Sequence, residues 1–275
     1  MKNTQDWRTF TGELAWPTVA LFLFLVAGHA LTWWLVLEGH VPLLVGAALQ
    51  TVFAYLAFTP LHEAVHGNIH GRHTKYARLD GTIGWVSAAL LAAPYPAFRV
   101  LHLTHHSHTN DPERDPDHWV AGNSYFAVAA RCFTIVPRYL ADFFAGRTSK
   151  TKAARDGRNA SALFFVVLAL VLGGVVALGY GVEVIALYVA PAIVASGMLA
   201  FAFDWLPHHP HDVQGRYVDT RIVLFPGLGL LTLGQSYHTV HHLYPRVPFY
   251  RYAEAFFSLR DELEANGTPI VDLRG

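Results

Sequence analysis

His102-Leu103-Thr104-His105-His106 is the stretch on which the reading of this chain turns. On a helix, positions 102, 105 and 106 stand at i, i+3 and i+4, so three imidazoles leave one face and can converge on a single point. Neutral imidazole is the commonest protein metal ligand. The same spacing returns at His238-Thr239-Val240-His241-His242, and a two-histidine version at i, i+4 stands earlier, at His62-Glu63-Ala64-Val65-His66. One histidine pair on a helix is ordinarily just a polar face, whereas three spaced clusters in one chain point to metal. The clusters hold eight of the 17 histidines, more than one tetrahedral ion needs, which implies two ions. All-nitrogen sites with open positions suit iron that must bind dioxygen, a different solution from the Glu-rich soluble di-iron bundles.

Around these clusters the chain is apolar. Of its 275 residues 53% are hydrophobic and only 15% charged, where soluble domains carry about a quarter charged. This predicts an all-α integral membrane protein, a single embedded domain over residues 1–275. Four runs reach the roughly 20 residues needed to cross a hydrocarbon core, at 18–37, 42–61, 160–179 and 184–203. Short turns pair them into two hairpins, and Trp16, Trp33 and Trp34 mark the ends of the first run as interfacial aromatics do. Residues 81–97 are apolar but short and carry Pro94 and Pro96, so they read as re-entrant or interfacial, delivering the chain to His102. Residues 125–144 contain Arg131 and Arg138, costly at mid-bilayer, and read as an amphipathic interfacial helix. Residues 222–234 also belong at the interface, and 252–275 read as a charged, soluble tail.

In this four-span arrangement all 20 Lys and Arg residues fall on the side of both termini, and the two outer turns carry none. By the positive-inside rule that side is cytoplasmic, in a bacterial inner membrane. His62, His102, His208 and His238 then share one membrane face, as a histidine-rich cytoplasmic cap requires. Residues 1–16 lack a short apolar core with a small-residue cleavage site, so no removable signal peptide is expected. A formal charge of zero gives no pointer to nucleic acid. Cys132 stands alone, which excludes an internal disulfide and a Cys-rich iron–sulfur or zinc site within this chain.

The order HEAVH, HLTHH, HTVHH between paired apolar hairpins resembles the membrane fatty acid desaturase superfamily, which includes acyl desaturases and carotenoid hydroxylases and ketolases. The resemblance covers residues 18–250. It implies two ferrous ions held by histidines, dioxygen as co-substrate, and electrons from a separate ferredoxin, rubredoxin or cytochrome. In acyl desaturases an Asn-x-x-x-His motif ahead of the last box adds a ligand. Asp204-Trp205-Leu206-Pro207-His208 has that spacing with Asp for Asn. The implied ligands are therefore His62, His66, His102, His105, His106, His208, His238, His241 and His242, with His209 or His211 as substitutes for His208 and the role of Asp204 open. His70, His73 and His108 flank the boxes as candidates for places behind the ligands. Asp111, Asp115 and Asp117 either orient ligand imidazoles, since a metal-bound histidine usually gives its other N–H to a carboxylate, or pair with arginines as an acidic loop. No catalytic side chain is expected beyond the ligands.

The chain has no cysteine set for a cluster and no dinucleotide fingerprint, because Gly227-Leu228-Gly229 lacks the third glycine, so its electrons must come from outside. A metal pair at the membrane face implies a lipid substrate. The expected reaction is fatty acyl desaturation, with the chain held in a tunnel lined by Phe53, Phe164 and Phe203. The alternative is a carotenoid β-ring hydroxylase or ketolase, suggested by the compact length, Asp115-Pro116-Asp117 and Leu206-Pro207-His208. Two readings from other classes compete. HEAVH is a complete HExxH zinc-protease motif, and Leu79-Asp80-Gly81 could supply that class's aspartate, but both HxxHH clusters would then have no role. A metal transporter or sensor would place its site near the midplane, not at the membrane edge.

Overall fold

The computed structural model describes residues 7–12 and 14–273. Seven longer helices come first: α1 (Trp16–Leu37), α2 (Leu43–His66), α3 (Ala77–Leu90), α4 (Tyr95–His108), α5 (Tyr125–Phe144), α6 (Lys152–Ala177) and α7 (Gly181–Trp205). Of these, α1, α2, α6 and α7 are long and apolar enough to cross a membrane. Only 6% of the apolar window of α6 and 11% of that of α1 is buried inside the protein, against 39% for α2 and 50% for α7. A helix apolar on all sides and covered on so few needs hydrocarbon around it. The protein is thus an all-α, four-span membrane protein with α2 and α7 at its centre and α1 and α6 facing lipid.

The ends of these helices set up the site. Helix α2 runs past residue 61 to His66 and carries the whole first box, stopping where Gly67 takes a left-handed φ of 68° and its N–H returns to the Ala64 and Glu63 carbonyls. Helices α3 and α4 are bent by 101° at their junction, within the stretch 81–97 expected to be re-entrant or interfacial. Pro94 and Pro96 open α4, where a missing N–H costs nothing. Gly84 admits this bend, since a Cβ there would meet the Tyr95 ring at 2.6 Å. Helix α5 matches the expected amphipathic segment: Val128, Cys132 and Ile135 are buried, while Tyr125 and Phe126 are almost fully exposed. Helix α7 widens into π-helical turns at Ile185–Val189 and Ala200–Trp205, and the second of these carries Phe203 and Asp204. Such widenings recur at functional sites.

Three boundaries differ from expectation. Helix α6 begins at Lys152, inside the basic linker, because Thr151 caps it by accepting the Ala154 N–H at 3.2 Å. A short parallel strand pair, β1 (Ile222–Leu224) with β2 (Ile270–Asp272), interrupts the all-α pattern. The charged tail is no free appendage. Its helix α9 (Tyr252–Ala265) buries Tyr252, Phe256, Leu259 and Leu263 against Val240 and Leu243 of α8 (His238–Leu243), the helix of the third box. The tail's charges lie on the outer face of an amphipathic helix whose inner face backs the histidines.

Gly234 makes the turn into the third box at φ 83°, and a Cβ there would lie 2.7 Å from the Phe249 carbonyl oxygen. Gly234→Ala should therefore lower stability by about 1–3 kcal/mol, read as a lower thermal midpoint in detergent. Gly173→Ala, which meets nothing within 4 Å, should leave the midpoint unchanged, and equal midpoints for the two variants would contradict this backbone reading.

Candidate metal centre

Nine histidines converge in two groups. His62, His66, His102, His106 and His241 form one and His105, His208, His238 and His242 the other, with the ligand atoms of each group within 4.8 Å of one another. The boxes interleave. From α4 the i, i+4 pair His102 and His106 serves the first group and His105 the second, while from α8 the i, i+4 pair His238 and His242 serves the second and His241 the first. The single point expected for positions 102, 105 and 106 is thus two points. Helical geometry permits the split, because residues four apart overlay almost directly while the residue three along is rotated to the other side.

The inward nitrogens are all Nε2. Their separations are 3.0 Å for His62–His241, 2.8 Å for His66–His102, 2.9 Å for His106–His241, 3.0 Å for His208–His238 and 3.2 Å for His238–His242. Nitrogens about 2.1 Å from an ion and at right angles to each other lie about 3 Å apart, so the spacing fits metal ligands. Burial holds the imidazoles of His208, His241 and His242 well below the ordinary histidine pKa and takes His238 down to about 3. Each of these rings is neutral at pH 7 and has one lone pair to give.

Several outer nitrogens are held by other elements, while those of His62 and His208 are buried without a partner among the described residues. His105 Nδ1 lies 2.9 Å from Asp115 and 3.2 Å from Asp117, His241 Nδ1 2.9 Å from the Tyr252 hydroxyl, and His238 Nδ1 3.3 Å from Gln235 Oε1. The carboxylates and the Gln235 carbonyl oxygen can only accept, which puts the proton of His105 and His238 on Nδ1 and leaves Nε2 free, while the Tyr252 hydroxyl, able to donate or accept, holds the His241 ring in place. Asp115 is fixed in turn by accepting the Asn110 and Asp117 backbone N–H groups at 2.8 and 2.9 Å. The Asp111 carboxylate, by contrast, accepts from Arg114 at 2.7 Å, the arginine-pairing alternative. His70 binds Asp80 at 2.6 Å, away from both groups. His208 takes the position for which His209 and His211 were substitutes: His209 packs on Trp205 and His211 Nε2 donates to the Asp204 carbonyl at 3.2 Å.

An apolar cavity opens onto these rings, walled by Phe58, Phe98, Leu101, Ile135, Leu199 and Phe203. Phe58 stacks on His62 and Phe98 on His102, each with centroids 5.3 Å apart and each one helical turn before its histidine. Of the three tunnel residues expected, only Phe203 lines the cavity. Phe53 of α2 packs against Phe24 of α1, and Phe164 of α6 against Trp85 of α3. Asp204 also faces the cavity, 3.4 Å from the Tyr139 hydroxyl, which donates to Asp117. Burial pushes the Asp117 carboxyl up to about 6, opposed by His105.

Glu63 does not face the metal groups. Its carboxylate accepts from Asn68 at 3.1 Å, the Phe249 backbone N–H at 3.3 Å and Thr18 at 3.4 Å, so the water-activating role of an HExxH glutamate is closed to it. Asp80 is engaged with the Ile69 N–H and His70. The geometry counts against the protease.

The family model described as "Fatty acid desaturase" matches residues 38–274. The chain belongs to that family. Among curated relatives, a beta-carotene ketolase of Paracoccus sp. strain PC1 is 27% identical over 241 residues, 85% of this chain and 88% of the ketolase. A second beta-carotene ketolase, of Paracoccus sp. strain N81106, is 26% identical over 82% of this chain and 89% of its own length. The chloroplastic omega-3 fatty acid desaturase of Glycine max is 25% identical over 90% of this chain, which spans only 59% of the desaturase. The relatives are oxidoreductases, and the histidine groups of this family member are able to hold two metal ions.

Tyr252, Gln235 and Tyr139 were not singled out from sequence. Gln235, one turn before His238, follows a local signal; Tyr252 meets His241 only through the packing of α9. Asp115→Asn and Tyr252→Phe should each lower metal affinity about 10–100-fold, measured as metal retained per chain after dialysis against a graded chelator. Wild-type retention in both would show that the outer contacts do not tune the site.

Proposed function

We propose that this chain, as one membrane-embedded domain over residues 1–275, is a dioxygen-dependent di-iron oxidoreductase that attacks an unactivated C–H bond of a bilayer-dissolved lipid. The observation that carries this reading is the pair of interleaved Nε2 clusters at the end of an apolar cavity. His62, His66, His102, His106 and His241 would hold one iron, and His105, His208, His238 and His242 the other. Iron bound there supplies the redox chemistry that couples dioxygen reduction to C–H oxidation.

The chain's own residues do the rest. Phe58, Phe98 and Phe203 hold hydrocarbon against the histidine rings and keep bulk water out. Asp115, Gln235 and Tyr252 hold the imidazole orientation while charge changes at the site. Making an alcohol from a C–H bond takes one dioxygen, two electrons and two protons and releases one water; making an alkene takes the same and releases two. The electrons come from an external ferredoxin, rubredoxin or cytochrome, on the side that bears the cations and histidines, which the positive-inside pattern makes cytoplasmic.

Fatty acyl desaturation is the first reading of the substrate, in keeping with the family to which the chain belongs. Carotenoid-ring ketolation or hydroxylation is the second, favoured by the observation that the ketolase alignments run through 88% and 89% of those proteins while the plant desaturase is covered only to 59%. Two expression hosts separate them, one accumulating β-carotene and one with saturated acyl chains only. New double bonds in the acyl chains support the first, and keto- or hydroxy-carotenoid over unchanged acyl chains replaces it with the second. Purified protein should contain close to two irons per chain, and His105→Ala or His241→Ala should abolish turnover while His29→Ala, remote in α1, should not. One zinc per chain with activity surviving removal of iron would refute the reading.

A further inference from the structure

A second cavity, open and polar, lies behind the metal groups on the surface formed by the loop after α4 and by α5. Its walls carry four guanidinium groups, Arg114, Arg131, Arg138 and Arg147, beside the carboxylates of Glu113, Asp115 and Asp142, and Arg114 is also paired with Asp111 at 2.7 Å. Arg114 and Arg147 are exposed over 63% and 68% of their side chains. Arg138 and Arg147 share a single carboxylate, Asp142, at 2.6 and 2.8 Å, which leaves positive charge in excess at that rim. The chain that leaves the groove at Thr148 adds Lys150, Lys152, Arg155 and Arg158 within ten residues. Trp119 stands in the wall with the Arg138 guanidinium 4.9 Å from its ring.

Asp115 belongs to both places. It lines this groove, and its carboxylate holds His105 Nδ1 at 2.9 Å. One residue therefore links an open basic surface to an imidazole of the second histidine group. The substrate cavity, walled mainly by hydrocarbon side chains, shares no lining residue with this groove, so the lipid and a water-soluble reductant need not compete for the same opening.

We infer that this groove docks an acidic one-electron carrier of the iron–sulfur protein class, with Arg114, Arg138 and Arg147 steering it and Asp115–His105 as the shortest connection to the centre. The inference rests on the C–H oxidation proposed above. Each turnover consumes two electrons, so the carrier docks twice, is oxidised by one electron each time, and leaves; the groove needs fast, salt-sensitive association rather than tight binding. Phospholipid headgroups are the rival occupant, because α5 lies at the membrane surface.

The test uses the full chain in phosphatidylcholine nanodiscs with a reduced [2Fe–2S] ferredoxin as the probe and dithionite-reduced methyl viologen as a small reductant. Arg114→Glu and Arg147→Glu, with Arg147→Gln as a milder variant, should raise the ferredoxin KM on the order of tenfold and flatten its salt dependence, while viologen-driven turnover and the thermal midpoint stay at wild-type values. The ferredoxin Kd of iron-free protein should rise in parallel, a readout independent of turnover. Unchanged KM and Kd overturn the docking site, and variants that lose only a stimulation by phosphatidylglycerol assign the groove to lipid headgroups. Wild-type protein that turns over with viologen but at no concentration of ferredoxin overturns the carrier class. Wild-type protein inert with both reductants overturns the oxidoreductase reading itself, an outcome distinct from variants that keep the wild-type KM.

Discussion

Nine imidazoles point their Nε2 atoms into two spaces less than 5 Å across, and the outer nitrogens of His105, His238 and His241 are held by other elements. Two protonated rings at this separation would repel one another by several kcal/mol at the effective dielectric of a protein, so most of the rings must be neutral. Much of the histidine-bearing end of the molecule follows from this requirement. Asp115 and Asp117 on the loop after α4, Gln235 at the turn into α8 and Tyr252 at the start of α9 each close off one Nδ1. The aspartates are themselves tied to backbone N–H groups and to Tyr139, so the chain of fixation extends outward into α5.

The same requirement gives Glu63 its place. A buried carboxylate without partners costs several kcal/mol, and Glu63 avoids that cost by accepting from three separate segments: Thr18 of α1, Asn68 after α2 and the Phe249 backbone after the third box. Arg246 adds a second tie, donating to the carbonyls of His66 and Gly71 at 3.0 and 3.2 Å. The first and third boxes, nearly two hundred residues apart, are therefore held in register by a carboxylate and a guanidinium that face away from the metal groups. The acid of HEAVH works as a clamp.

The membrane supplies what the interior does not. Helices α1 and α6 leave most of their apolar surface outside the protein, and only lipid hydrocarbon makes that favourable. The inner pair α2 and α7 can then be spent on the cavity: Phe58 on α2 and Phe203 on α7 lie with ring centroids 5.0 Å apart above the histidines. The π-helical widening at Ala200–Trp205 falls on the turn whose Phe203 and Asp204 both line that cavity.

Local periodicity was enough to find the four spans, the break in the apolar run at α3–α4, the amphipathic α5 and eight of the nine converging histidines, because hydrophobic run length and i, i+4 spacing are properties of one helix at a time; His208 came from the spacing Asp204-x-x-x-His208 and the family resemblance. It was also enough to suspect Asp115 and Asp117, which follow the second box within a few residues. Three things were decided only by tertiary packing. The split of each HxxHH between two groups depends on how α2, α4 and α8 rotate against one another, and no single helix encodes that angle. The cavity wall went to Phe58 and Phe98, with Phe53 and Phe164 left on lipid-side packing, because the facing partner, not the residue type, determines which aromatic ring points inward. The last is the tail, whose charges suggested solvent. Its burial against the third box, and the Tyr252 hydroxyl on His241 with it, exists only because the apolar stripe of α9 finds Val240 and Leu243, a contact between elements that sequence spacing cannot pair.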